Sequence, residues 1–229
     1  PDLDYIRSEP NGMHIGPLTT LRDIERSPVV QGRFPLLAQA CGEVGNVRIR
    51  NQATLGGNLA EADYASDPPT ALLALGAQVT ASNANGARLI PLEDFLIGFY
   101  TSSLESDELI TDIFIPAGDT GSRMIYLKYK SRSSEDRPCT GVAVIATFHA
   151  ETCTDLRVAV GAACEVPQRV PAVENMARDR VWTDELLGEI AAGYANSIET
   201  LDDIRGSAWY RTQMIRTHVQ RALEEVWNG

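Results

Sequence analysis

The chain has 229 residues, 44% hydrophobic and 22% charged, with a formal net charge of −11. That length suits one large domain or two small ones of ordinary globular composition. The acidic balance repels phosphate backbones and excludes nucleic acid as a natural partner, and no run approaches the roughly 18 apolar residues of a membrane span. The opening Pro1-Asp2-Leu3-Asp4 lacks the basic and apolar regions of a signal peptide. Short strands are expected over 4–7 and 13–15, around a turn at Pro10-Asn11-Gly12. Thr19 or Thr20 caps a short helix that ends before Pro28. Residues 34–41 read as a short amphipathic helix closed by Gly42 and Gly45.

Next comes the stretch that carries most of the chemistry, Arg48-Ile49-Arg50-Asn51-Gln52-Ala53-Thr54-Leu55-Gly56-Gly57-Asn58-Leu59-Ala60. It reads as a strand leading into a glycine turn. Two adjacent glycines permit φ > 0 and let a ligand approach the main chain. Thr54 and Asn58 flank them with groups that both donate and accept. Successive N–H groups in such a turn form an anion-binding concavity. By itself such a segment is usually only a tight turn. Asp67-Pro68-Pro69 reads as a helix start, with Asp67 as the cap. The glycine pattern is neither that of a Rossmann dinucleotide site nor that of a P-loop.

An apolar helix is expected over 69–75 with Gly76 as its stop. A hairpin pairs 78–81 with 88–90 across Asn83-Ala84-Asn85-Gly86. Residues 92–96 form a helical turn. Residues 108–115 form a strand with Leu109, Thr111, Ile113 and Ile115 on one side. A boundary falls at Pro116-Ala117-Gly118-Asp119-Thr120-Gly121, dividing the chain into 1–117 and 122–229. Beyond it, strands over 124–131, 141–150 and 155–162 precede two helices. Thr183 caps 184–197, and Ser207 caps 208–227. The second helix buries Ala208, Ile215, Val219, Ala222 and Val226 as one stripe. Strands followed by helices imply an α+β layer, three antiparallel strands covered on one face.

Cys41, Cys139, Cys153 and Cys164 show no C-x-x-C spacing, which argues against a local metal or iron–sulfur site and for buried thiols in a reducing cytoplasm. His14, His149 and His218 are far apart, so no nucleophilic triad can be built.

Residues 49–59 resemble the second flavin motif of the FAD-binding subunit of the molybdenum hydroxylases, the relatives of xanthine dehydrogenase and aerobic carbon monoxide dehydrogenase. That motif is Ile-Arg-Asn, a variable residue, Ala or Gly, Thr or Ser, a branched aliphatic residue, then Gly-Gly-Asn, with an Asp–Pro segment following. The likeness runs backward through Ile15-Gly16-Pro17-Leu18-Thr19-Thr20-Leu21. It runs forward through Glu108-Leu109-Ile110, Ile113-Phe114-Ile115-Pro116 and Tyr126-Leu127-Lys128, covering nearly the whole chain in order.

The resemblance implies the second subdomain of a PCMH-type FAD-binding domain, followed by a C-terminal domain with a three-stranded antiparallel sheet packed with helices. It implies FAD as cofactor and an electron-transfer role. Molybdopterin would sit on a large partner subunit and two 2Fe–2S clusters on a small one, with NAD or a quinone as acceptor. Carried over residue by residue, Thr54, Leu55, Gly56, Gly57 and Asn58 meet the FAD pyrophosphate. Asp67 meets ribityl or ribose hydroxyls, Ile110 is an apolar main-chain contact, and Lys128 lies close to the cofactor. Two departures are visible. The family's earlier glycine motif does not occur, so the resemblance implies a member lacking the N-terminal flavin-binding subdomain. Many relatives also place an aromatic after an Asp in the loop following the lysine. Here that loop is Ser131-Arg132-Ser133-Ser134-Glu135-Asp136-Arg137-Pro138, and no aromatic follows Asp136. The competing expectation is an interaction module that docks to partner subunits without flavin.

Overall fold

The structure is a computed structural model that describes residues 2–119, 121–131, 133 and 135–229. Thr120 of the expected boundary and Arg132 and Ser134 of the loop after Lys128 lie outside the described residues.

The first half opens with a hairpin of β1 (Ile6–Glu9) and β2 (Gly12–Ile15). Three helices follow: α1 (Leu21–Arg26), α2 (Pro28–Arg33) and α3 (Pro35–Gly42). Thr20, not Thr19, caps α1 by accepting from the Asp23 N–H at 3.1 Å. Thr19 is buried, and its hydroxyl ties to the main chain of Tyr5. Pro28 and Pro35 each start a helix, where the missing N–H costs nothing. Then come α4 (Val47–Arg50), α5 (Leu55–Glu61) and α6 (Asp67–Ala74). They are followed by β3 (Gln78–Asn83), β4 (Gly86–Pro91), α7 (Leu92–Phe95), the small ribbon β5 (Leu96–Gly98) with β6 (Thr101–Ser102), and β7 (Leu109–Pro116). The first sheet is antiparallel throughout in the order β1-β2-β7-β3-β4.

Strict alternation fails in β7. The β3–β7 register slips between Thr80 and Ala81, so Thr111 is the extra residue of a bulge. One inserted residue exchanges the two faces. Ile110 is therefore buried with Ile113 and Ile115, whereas Leu109 is 69% exposed.

The second half contains β8 (Ser122–Tyr129), β9 (Thr140–His149), β10 (Thr152–Gly161), β11 (Gln168–Arg169), α8 (Pro171–Glu174), β12 (Arg180–Val181), α9 (Asp184–Ser197) and α10 (Ala208–Asn228). The three long strands pair antiparallel in the order β10-β9-β8, with β11 and β12 as two-residue additions to β10. This sheet is covered on both faces rather than one. Val142, Val144 and Val158 pack with α9 and α10, while Ala143, Ile145 and Ala159 join the core of the first half. Residues 140–146 of β9 are accordingly buried without alternation.

Helix α10 buries Ile215, Val219, Ala222 and Val226 as the spacing requires. Ala208 is only half-buried, and Arg211 takes its place in the stripe, fully enclosed. Its guanidinium donates to the Cys139 and Ala162 carbonyls and pairs with Asp203, which satisfies a charge that burial would otherwise make costly.

Candidate functional site

The glycine segment is a helix start, not a turn after a strand. Residues 47–50 are helical, and Thr54 is the N-cap of α5, its Oγ1 accepting from the Gly57 N–H at 3.1 Å. Neither Gly56 nor Gly57 has a positive φ among the described backbone. Glycine at 56 answers a close approach instead. A Cβ there would lie 2.4 Å from the Pro17 Cβ and 2.8 Å from the Pro17 carbonyl oxygen. The Gly56 N–H donates to that oxygen at 2.9 Å, and the Leu55 N–H donates to the Thr19 carbonyl at 3.0 Å. The Gly16–Thr20 segment is thus the shelf on which α5 begins. Leu55 faces the core. Gly57 is exposed, and a Cβ there would meet only the Thr54 hydroxyl, at 3.0 Å.

The four N–H groups of Leu55 to Asn58 all donate within the chain. The anion-binding concavity expected from the glycines is therefore not open. Side chains provide the free donors. The Thr54 hydroxyl accepts from Gly57 and keeps its own proton. The Asn58 amide exchanges hydrogen bonds with the Ser66 hydroxyl at 2.8 and 3.0 Å, leaving one N–H over.

Asp67 is the first residue of α6 rather than its cap, which is Ser66. Its carboxylate is 2% exposed and points to the second half, accepting from Tyr126 Oη at 2.7 Å and Lys128 Nζ at 2.9 Å. Lys128 Nζ also donates to the Glu43 carbonyl at 2.7 Å, at the C-terminal end of α3, where a cation complements the helix dipole. Two of three ammonium protons thus have partners among the described residues. Burial raises the Asp67 carboxyl above its ordinary value, and Lys128 and Tyr126 oppose that. Burial and the neighbouring Asp67 keep the Tyr126 phenol protonated.

Register explains how these groups meet. Gly141 pairs with Lys128 on one side and Gly161 on the other. A Cβ at Gly141 would lie 2.4 Å from Tyr126 Oη, and one at Gly161 would lie 2.0 Å from Thr70 Oγ1. The absent side chains let α6 settle onto the sheet and let Tyr126 reach across to Asp67.

Asn58, Ser66, Asp67 and Lys128 line one cavity of about 280 Å³. Its apolar lining is Val44, Ile49, Ala53 and Ala65, and Glu135, Asp136 and Arg137 also line it. Small-molecule sites run roughly 300–1,000 Å³, so this cavity has room for part of a large ligand rather than all of it. Five carboxylates (Glu61, Asp63, Asp67, Glu135 and Asp136) and two cations (Lys128 and Arg137) line it. That balance suits hydroxyls and a heteroaromatic ring better than phosphate. A wider depression of about 560 Å³ lies between α3 and residues 125–127; its charged lining is Glu25, Glu43 and Glu225, and it shares none of the residues named for the cofactor.

The cavity thus unites Asn58, Asp67 and Lys128, with Thr54 and Gly57 one helical turn away or less. Ile110 is not among its lining residues. It sits in β7 opposite Ala81, and because β2 pairs β7 only as far as Ile113, its main chain lies beyond that ladder. Sequence reasoning missed Tyr126 as a partner of Asp67, 59 positions away, and Arg137 as a lining residue. No spacing rule links such positions; only the strand register does. Among the described residues no group of side chains is arranged to hold a metal ion, and no helix is long and apolar enough to cross a membrane.

Comparison with known proteins bears on the same residues. A family model described as the FAD binding domain in molybdopterin dehydrogenase matches residues 1–118, and one described as the CO dehydrogenase flavoprotein C-terminal domain matches 125–226. The chain is 32% identical to the glyceraldehyde dehydrogenase medium chain of Sulfolobus acidocaldarius, over 98% of this chain and 79% of that protein. It is 34% identical to the nicotine 6-hydroxylase medium subunit of Paenarthrobacter nicotinovorans, over 97% of this chain and 75% of that one. The solved structure of carbon monoxide dehydrogenase from Hydrogenophaga pseudoflava superimposes with a TM-score of 0.95 at 32% identity, over 100% of this chain and 79% of that one.

Proposed function

This chain belongs to the family of FAD-binding subunits of molybdopterin dehydrogenases, and from that premise we propose that it passes electrons from iron–sulfur clusters on a partner, through FAD, to an external acceptor. As a member of that family it is the flavoprotein component of an oxidoreductase. The proposed partners are a large molybdopterin-binding subunit and a small subunit with 2Fe–2S clusters. The proposed acceptor is NAD or a quinone, and the proposed location is the cytoplasm. We divide the chain into 1–117, the FAD-binding unit, and 122–229, the unit that closes the site with Lys128.

The observation that carries this reading is the donor set around the cavity. The Thr54 O–H proton, one Asn58 N–H and one Lys128 N–H each lack an acceptor among the described residues; Asn58 and Lys128 line the cavity, and Thr54 lies one helical turn from Asn58. Such donors fit the oxygens and ring carbonyls of a flavin dinucleotide. Bound FAD supplies the redox chemistry. Asn58 and Thr54 orient it, and Gly57 leaves the helix start bare for close approach. Asp67 holds Lys128 in place, Tyr126 holds Asp67, and Ile110 offers its main chain beyond the cavity.

The test is FAD content of the complete complex carrying Gly57→Val or Asn58→Leu. Occupancy should fall at least about tenfold, the equivalent of ~1.4 kcal/mol, with molybdenum and iron contents unchanged. Full occupancy in well-folded complexes of both variants would falsify the assignment of this corner to the cofactor.

A further inference from the structure

We propose that the free edge of β8 takes up an extended segment of another chain, added as a further strand and bearing a lysine or arginine. Among the described residues β8 pairs only with β9, so its other edge has no strand. Such an edge presents unpaired N–H and C=O groups. In an antiparallel pair every second residue turns its main chain away from the neighbouring strand. The Tyr126 N–H points outward and donates to Gln39 Oε1 at 3.0 Å, so Met124 and Lys128 turn the same way. Gln39 fills one position of the edge, and the positions on either side of it are unfilled. Lys128 shows the opening directly. Its side chain is 2% exposed, yet the residue as a whole is half-buried, so its accessible part is the main chain.

A groove follows this edge. Its larger part is the depression of about 560 Å³, which residues 125–127 line together with α3 and with Glu225 of α10. Its smaller part, about 460 Å³, is lined by Leu127, Lys128 and the last turns of α10. Leu127 and Glu225 belong to both parts, so the two adjoin. Tyr126 joins the core that α3 helps to build, whereas Ile125 and Leu127 pack against that of α10. The two helices therefore cover the two faces of the strand and leave its edge open. Strand addition draws affinity from main-chain bonds and specificity from the side-chain pockets beside them. Here the larger part has only carboxylates as charged lining. Glu25 is held by Arg22 and Arg50, and Glu43 by Lys130. Glu225 is exposed and has no ion pair among the described residues, so an unopposed negative charge stands beside the edge and selects a cationic side chain. A second copy of this chain, with its net charge of −11, is the poorer occupant.

That the other chain is a fellow subunit rests on the subunit reading above; the open edge does not. The experiment is amide hydrogen exchange, resolved to single residues, on this chain alone and in the assembled complex. Alone, the Met124 and Lys128 amides should exchange fast while those of Ile125 and Leu127, which face β9, are slow, and assembly should slow the first two by at least about tenfold. Glu225→Lys should weaken assembly about threefold at low ionic strength, the scale of an exposed ion pair, and the difference should shrink at high salt. Its flavin occupancy should match the parent's. Exchange of Met124 and Lys128 unmoved by assembly overturns the proposal, and so does their protection in a dimer of this chain alone. Parental assembly of Glu225→Lys at low salt overturns the cationic occupant. If the chain enters no complex, the subunit reading fails by itself, and a synthetic peptide of alternating lysine and valine serves as the probe of the same two amides. Their protection by that peptide sustains the docking edge, and its failure to protect them overturns it.

Discussion

Lys128→Met removes the cation that neutralises a buried carboxylate and couples the two halves of the chain. The parent contact is enclosed, with Lys128 Nζ 2.9 Å from Asp67 and 2.7 Å from the Glu43 carbonyl. Breaking one partner of a buried pair costs about 3–5 kcal/mol, because the other charge is left without compensation. The cost should depend on pH in a definite sense. Burial already raises the Asp67 carboxyl above its ordinary value of 3.8, with Lys128 the largest opposing influence. Without Lys128 it rises further. A carboxyl whose folded value is raised holds its proton longer in the folded chain, so its contribution is complete below the unfolded value and is lost as pH rises through the folded one. The deficit of the variant should therefore be small near pH 4, where about 1 kcal/mol of lost hydrogen bonding remains. It should grow by up to ~1.4 kcal/mol per pH unit until the folded value is passed. Urea unfolding followed by circular dichroism at about pH 5.5 and pH 8.5 reads this directly, given that slope. Adding Asp67→Asn should recover most of the loss at the higher pH. An equal deficit at both pH values, with no recovery from Asp67→Asn, would refute the reasoning.

Gly56→Ala forces a Cβ to within 2.4 Å of Pro17 and should cost about 1–3 kcal/mol of overpacking, read as a lower melting temperature; an unchanged one would show that the Gly16–Thr20 shelf moves freely. Val219→Asp places an unpaired charge at a fully buried position of α10 and should cost on the order of 3–5 kcal/mol, seen as a lost or strongly lowered unfolding transition. Limited proteolysis should cut first between Ala117 and Ser122, at the proposed division; early cutting inside β9 or β10 with that stretch protected would argue for another division.

Much of the local structure is legible in the residues because its causes are local. Thr183 and Ser207 start α9 and α10 where expected, since a hydroxyl at the cap satisfies an otherwise unpaired N–H three positions on. The hairpin of β3 and β4, the three long strands of the second half and the stop at Gly76, with φ 69, follow the same logic. The motif around Thr54 to Asn58 is plain in the residues, but not the structural reason for Gly56. That reason is the Pro17 shelf, packed beneath α5. Tertiary contact alone also decides the parity of β7, the second covered face of the β8–β10 sheet and the enclosure of Arg211. In each case the deciding partner is distant in sequence: β3 for the bulge, α6 for the covered face, Asp203 and the Cys139 carbonyl for Arg211. The same holds for the site. Asp67, Tyr126 and Lys128 converge because Gly141 and Gly161, paired across two strands, leave room for α6 to descend. Composition and spacing record which side chains a segment offers; only strand register and close packing determine which of them meet.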